Sequence, residues 1–250
     1  MGGRGHRVAR VPVSRSFLAR PAVEVAPELL GYVLEHETPD GLVAVELTEV
    51  EAYAGRSDPA SHAYRGKTQR NAVMFGPVGH AYVYFTYGMY FCVNLVCAAN
   101  GSASAVLLRA GVVIEGEELA RARRTRGAAV VSRRDLARGP ARLCLALDID
   151  RAQDGADVCG AGSPLRIRWP DASTLARSAE KKIATGPRVG VSSAAEVPWR
   201  FWVEGDPTVS VYRAHVPRRS AIPGGLSVRT GGLPVPPSPP GPPDPPWVTP

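Results

Sequence analysis

The chain is poor in lysine. Of its 30 cationic residues only Lys67, Lys181 and Lys182 are lysines. The rest are arginine, a side chain suited to bidentate phosphate contacts and to stacking, though one that also accumulates in GC-rich genomes. Cysteine is scarce as well. The four cysteines, Cys92, Cys97, Cys144 and Cys159, form no CxxC pair and no cysteine–histidine zinc spacing, so buried reduced thiols are the expectation. No GxGxxG follows a predicted strand, and neither GxxxxGK[ST] nor HExxH occurs. The five histidines, His6, His36, His62, His80 and His215, are scattered. Neither a nucleotide cofactor nor a metal is therefore expected. No apolar run approaches the roughly 18 residues that span a membrane. The basic N-terminus lacks the apolar stretch of a signal peptide. A cytoplasmic protein is expected.

What the chain does have is length, positive charge and a local excess of tyrosine. Its 250 residues, 44% hydrophobic and 21% charged, suit a folded domain with a sizeable core. The net charge is +7 and is unevenly placed. Arg4, Arg7, Arg10, Arg15 and Arg20 precede any acid, and residues 121–142 carry eight arginines against Asp135 alone. A polyanionic partner fits this pattern; so do a loose basic tail and a solvated helix face.

Residues 231–250, GGLPVPPSPPGPPDPPWVTP, hold ten of the 24 prolines and cannot form ladders. The expected organisation is a basic, disordered N-terminus (1–13), one domain (14–213) and a flexible proline-rich tail (214–250). Strand signals dominate the first half of the domain: 42–53, 81–85 and 90–96 as a hairpin around TYGM, and 103–110. Residues 115–125 and 133–147 look helical, with Gly139-Pro140 breaking or restarting the second. Short apolar runs at 165–169 and 200–204 look like strands. The sum is an α+β domain without regular βα alternation.

Three stretches could carry chemistry. In 46–53, ELTEVEAY, strict alternation continues the face of Val43, Val45 and Leu47 through Glu49, Glu51 and Tyr53. A carboxylate at the mouth of a pocket could be tuned into a base. On pattern alone, a strand that leaves the core after Leu47 and solvates both glutamates fits better. The second stretch, 61–76, SHAYRGKTQRNAVMFG, reads as a polar, turn-rich loop with His62, Arg65, Lys67 and Arg70. The third, 82–91, YVYFTYGMYF, holds four of the eight tyrosines. Gly88 would take the positive φ of the turn and Tyr87 would project from its tip, where an aromatic can wedge between bases. Tyr82 and Tyr84 share a face that could stack on an extruded base. A sheet core with hydroxyls at its rim accounts for the same residues.

Taken in order, EVEAYAG, SHAYRGKTQRNAVMFG, YVYFTYGMYFCVN, VLLRA, GPRVGV and RFWV resemble the alkyladenine or 3-methylpurine DNA glycosylase family, the single-domain type without a helix-hairpin-helix. The resemblance runs from about residue 14 to 213. It implies a curved, mainly antiparallel sheet with flanking helices and a protruding hairpin. It also implies a monofunctional, monomeric hydrolase that needs no cofactor and acts in the nucleoid on double-stranded DNA containing damaged purines. By position, Glu51 matches the base that activates water, Arg109 the arginine that helps hold it, and the Val189 carbonyl a further contact to it. Tyr53, His62 and Tyr84 match the residues that enclose the flipped base, Asn94 the one that disfavours undamaged guanine, and Tyr87 the one that fills the gap. Lys67 matches no Schiff-base nucleophile, so no lyase step is implied. Tyr90 stands where many bacterial members have His, and Gln69 where Pro is frequent. A non-catalytic nucleic-acid-binding module is the alternative that the basic and aromatic surface leaves open.

Overall fold

A computed structural model describes residues 11–86, 88–99, 101–125, 131–170 and 181–216. Eight strands form one antiparallel sheet: β1 (Val33–Thr38), β2 (Gly41–Tyr53), β3 (Ala81–Thr86), β4 (Tyr90–Cys97), β5 (Ser104–Glu115), β6 (Leu165–Arg168), β7 (Ile183–Gly186) and β8 (Arg200–Val203). The order is β3-β4-β5-β2-β1-β6, with β8 pairing both β2 and β7. The 13-residue β2 is the spine. Its residues 41–46 pair with β1, and Glu49, Val50 and Glu51 pair with β8. The sheet therefore curls and divides along one strand, giving the α+β domain expected.

Among the described residues, four short helices accompany the sheet: α1 (Arg15–Leu18), α2 (Ala22–Glu28), α3 (Glu117–Arg124) and α4 (Pro140–Leu147). Gly139, at φ 104, followed by Pro140 at the first helical position, starts α4 afresh. The remainder of the predicted 133–147 helix is one 3₁₀ turn, Arg133–Asp135. Val25, Ala26, Leu143, Ala146 and Leu147 from the helices join Val43, Val45, Leu47, Val93, Leu95, Val106 and Leu108 in the main core. The opposite face is capped by a smaller cluster in which Ala63, Val73 and Met74 pack on Tyr82, Val96 and Ala105. The stretch expected to be a polar loop supplies that cap. Residues Gln69–Phe75 form a 3₁₀ helix with a Thr68–Asn71 capping box and a buried Asn71–Met74 face.

Ordered chain reaches back into the expected N-terminal tail, since Val13 is in the core and Pro12 bridges Arg168. Residues 1–10, most of the proline-rich segment and Tyr87 lie outside the described residues. All four cysteines are free thiols, and Cys92, Cys97 and Cys144 are buried. Among the described residues no helix is long and apolar enough to cross a membrane.

Candidate active site

The site begins with a break in the alternation of β2. Its register against β5 runs Leu47↔Gly111, Glu49↔Ala110, Val50↔Leu108, skipping Thr48 on one strand and Arg109 on the other. A bulge of this kind inverts the faces of the residues beyond it. Val50 and Ala52 take over the core positions that Val43, Val45 and Leu47 held. Glu49, Glu51 and Tyr53 turn to the face away from the helices. Strict alternation, which put them on the face of Leu47, is wrong at this bulge. The solvated reading is wrong as well, because Glu49 and Glu51 are both 0% exposed. The segment carrying Arg188, Val189, Arg200 and Ser210 covers them through direct contacts.

On that face, cross-strand pairing lines up one row over four strands. Tyr82 pairs with Asn94, Asn94 with Leu107, and Leu107 with Glu51. Tyr84 pairs with Cys92 beside it. A cavity of about 430 Å³ opens over this row, lined among others by Tyr53, His62, Tyr82, Tyr84, Asn94, Arg109 and Val189. The size is within the range of small-molecule sites, about 300–1,000 Å³. Tyr82 and Tyr84 stack at 5.5 Å, and the His62 ring meets Tyr84 edge-on at 4.5 Å. His62 Nδ1 lies 3.1 Å from the Tyr82 hydroxyl, and Asn94 Nδ2 donates to the Tyr82 carbonyl at 3.1 Å. Although His62 opens to solvent at the rim, desolvation of its ring among the tyrosines, and then the Arg70 charge, lower its pKa below the ordinary histidine value.

Glu51 sits just behind the cavity wall. Its Oε2 accepts from the Tyr53 hydroxyl at 2.9 Å, and its Oε1 accepts from the Val189 N–H at 2.7 Å. Arg109 Nη1 stands 3.3 Å from Oε1. Burial, and next the Glu51 charge, raise the Tyr53 pKa well above the phenol range, so the hydroxyl stays a donor. Burial alone would lower the Arg109 pKa, but Glu51 and Glu49 overcome it and keep the guanidinium charged. Glu51 thus has an oriented carboxylate in a dry setting next to a cavity walled by aromatic rings. That arrangement can accept a proton from a water at the floor and can stabilise positive charge there.

The sequence-expected Glu51, Tyr53, His62, Tyr84, Asn94, Arg109 and Val189 come together here. The Val189 amide donates to Glu51. The proposed wedge, Tyr87, is not among the described residues. Sequence reasoning singled out neither Arg188 nor the partners of Glu49, and left Tyr82 between a stacking role and the rim of the core. Tyr82 lines the cavity. Arg188 forks onto Asp58 and lies 4.7 Å over the Tyr53 ring. Glu49 accepts from Arg109, Arg200 and Ser210. The motifs contained all of these residues, but no spacing rule singles out a partner more than 50 positions away.

A family model for methylpurine-DNA glycosylase matches residues 16–207. Three curated relatives, each named "Putative 3-methyladenine DNA glycosylase", are similar over most of their length. The protein of Streptomyces avermitilis is 57% identical over 217 residues, 84% of this chain and 96% of the relative. That of Leifsonia xyli subsp. xyli is 50% identical, covering 82% and 93%. That of Methanocella arvoryzae is 46% identical, covering 78% and 94%.

Proposed function

The chain belongs to the methylpurine-DNA glycosylase family, and from that premise we propose that it removes alkylated or deaminated purines from double-stranded DNA by flipping the base into the aromatic cavity and hydrolysing its glycosidic bond. The observation that carries this reading is the Glu51 carboxylate, fully buried and oriented by Tyr53, Val189 and Arg109 at the back of that cavity. Water attacks C1′ of the sugar, and Glu51 takes the proton that water gives up. The C1′–N bond breaks, and its electron pair leaves with the base. The sugar passes through an oxocarbenium-like state that a nearby carboxylate stabilises. Arg109 holds the water and offsets the charge of Glu51 until the sugar arrives.

Selectivity follows from the same surfaces. Alkylation at N3 or N7 makes the purine a cation, which weakens the glycosidic bond and strengthens stacking on tyrosine faces. Stacking contributes about 1–3 kcal/mol per base, comparable to the few kcal/mol that flipping costs. Tyr84, His62 and Tyr53 enclose the base, and Asn94, fixed by its bond to the Tyr82 backbone, excludes undamaged guanine. Gly88, at φ 70, turns the hairpin between β3 and β4, and Tyr87 beside it fills the place the base leaves. No lysine is needed, so the strand is not cut.

The test is a base-release panel on duplex oligonucleotides carrying 3-methyladenine, 7-methylguanine, hypoxanthine or ethenoadenine, with borohydride trapping run in parallel. The expected result is release of free base with no trapped protein–DNA adduct. Binding without release from any of the four would favour the non-catalytic module, and a trapped adduct would replace hydrolysis with lyase chemistry.

A further inference from the structure

Glu49 neither lines the cavity nor touches Glu51, yet its carboxylate accepts four hydrogen bonds. Its Oε1 accepts from Arg109 Nε at 2.7 Å, Arg200 Nε at 2.8 Å and the Ser210 hydroxyl at 2.9 Å, and its Oε2 accepts from the Ser210 N–H at 2.7 Å. Two chain segments far from it in sequence, β5 and residues 200–210, meet on this one group, which is 0% exposed. Burial would raise its pKa, but Arg109, Arg200 and the Ser210 amide lower it below the usual value, so it is ionised.

The Arg109 guanidinium is shared. Its Nε edge faces Glu49, one terminal nitrogen stands 3.3 Å from Glu51, and the other lies 3.3 Å from the Ser210 hydroxyl. A guanidinium presents a flat fork that pairs best with one carboxylate through two parallel bonds. Without a competitor, Arg109 would turn that fork onto Glu51 and close the place where water must sit. Glu49 holds the Nε edge and leaves Glu51 a single, longer contact.

We propose that Glu49 is a positioning residue that keeps Arg109 off full pairing with Glu51, and that with Arg200 it sets the charge balance around the base. The inference rests on the glycosylase reading above. Besides these groups, Glu51 faces Tyr53 on its own strand, Cys92 on β4 and Arg188 ahead of Val189. Two arginines, Arg109 and Arg200, balance two carboxylates, Glu49 and Glu51. Removing Glu49 leaves excess positive charge beside the Glu51 carboxylate. Removing Arg200 leaves excess negative charge there.

The experiment is single-turnover base release from a hypoxanthine duplex across pH for wild type, Glu49→Gln, Glu49→Asp and Arg200→Gln, with substrate affinity measured in parallel. Glu49→Gln should lower the rate by up to about 100-fold, the scale of a displaced catalytic group, with affinity nearly unchanged. The acidic limb of its profile should move down by roughly one pH unit, and that of Arg200→Gln should move up. Glu49→Asp should recover part of the rate. Limbs that move in the same direction, or not at all, overturn the inference, because a merely structural defect lowers amplitude without opposite shifts. If Glu49→Gln does not fold, the upward shift in Arg200→Gln decides the question alone. No release by wild type would overturn the glycosylase reading itself, and this inference with it.

Discussion

Two buried carboxylates in this sheet are each clasped by two arginines through Nε. Glu35 on β1 accepts from Arg166 at 3.0 Å and Arg168 at 2.9 Å, both on neighbouring β6. Glu49 on β2 accepts from Arg109 on β5 and Arg200 on β8 at 2.7 and 2.8 Å. The local chemistry is nearly the same, but the remaining contacts differ. Arg166 reaches on to Glu37 and the Ala161 carbonyl, and Arg168 to the Trp169 carbonyl, all structural ends. Arg109 reaches on to Glu51 and the cavity. A buried ion cluster is therefore not a functional site by its own nature; what its arms touch next decides.

The contrast is strained hardest at Glu35. Glu35→Gln leaves two arginines without their shared anion and should cost about 3 kcal/mol of stability, the scale for breaking a buried pair. Denaturant unfolding measures it, and base release per folded molecule should stay at the wild-type level. A lost rate in that variant would erase the distinction between the clusters. Next in size, Tyr84→Ala should weaken binding to damaged duplex by about 1–3 kcal/mol, read by titration at fixed salt. Tyr87→Ala should weaken binding to damaged duplex more than to single strands, and equal loss on both would remove the wedge role.

The acid response tests the Glu49 cluster by another route. The Glu49 pKa is lowered in the folded protein, so its contribution to stability is fully present above the unfolded carboxylate value, near 4.3. It is lost as pH falls through the lower folded value. Melting temperatures of wild type should drop as pH falls below about 4, and Glu49→Gln should show a shallower drop. The smallest effect is at Tyr82. Tyr82→Phe removes one hydroxyl contact to His62 and should cost about 1 kcal/mol of stability and modest affinity.

Much of the fold was legible because local signals agreed with it. The β3–β4 hairpin announced itself by β-rich runs around a glycine, and Gly139-Pro140 marked the restart of α4. β1 was not legible. Its VLEHET sequence puts a charge, Glu35, at a position that becomes buried only because Arg166 and Arg168 arrive from more than 100 residues away. β7, Ile183–Gly186, is short, and three of its four residues are at least partly exposed, so no hydrophobic period reveals it. At the site, motifs carried Glu51, Tyr53, Tyr84, Asn94 and Arg109. The bulge that aims them could not be read, because it is a register between two strands some 60 residues apart. The partners of Glu49 were hidden for the same reason, and Tyr82 looked like rim until Asn94 and His62 were placed against it.

The decisive comparison makes one chemical change at three buried carboxylates. Glu51→Gln, Glu49→Gln and Glu35→Gln would be compared with wild type in single-turnover release of hypoxanthine from the same duplex at pH 7. Glu51→Gln should lose about 10²–10⁴-fold, the usual contribution of a positioned general base, while still binding the duplex. Glu49→Gln should fall in between, and Glu35→Gln should match wild type. Wild-type release by Glu51→Gln would contradict the proposed chemistry at its centre.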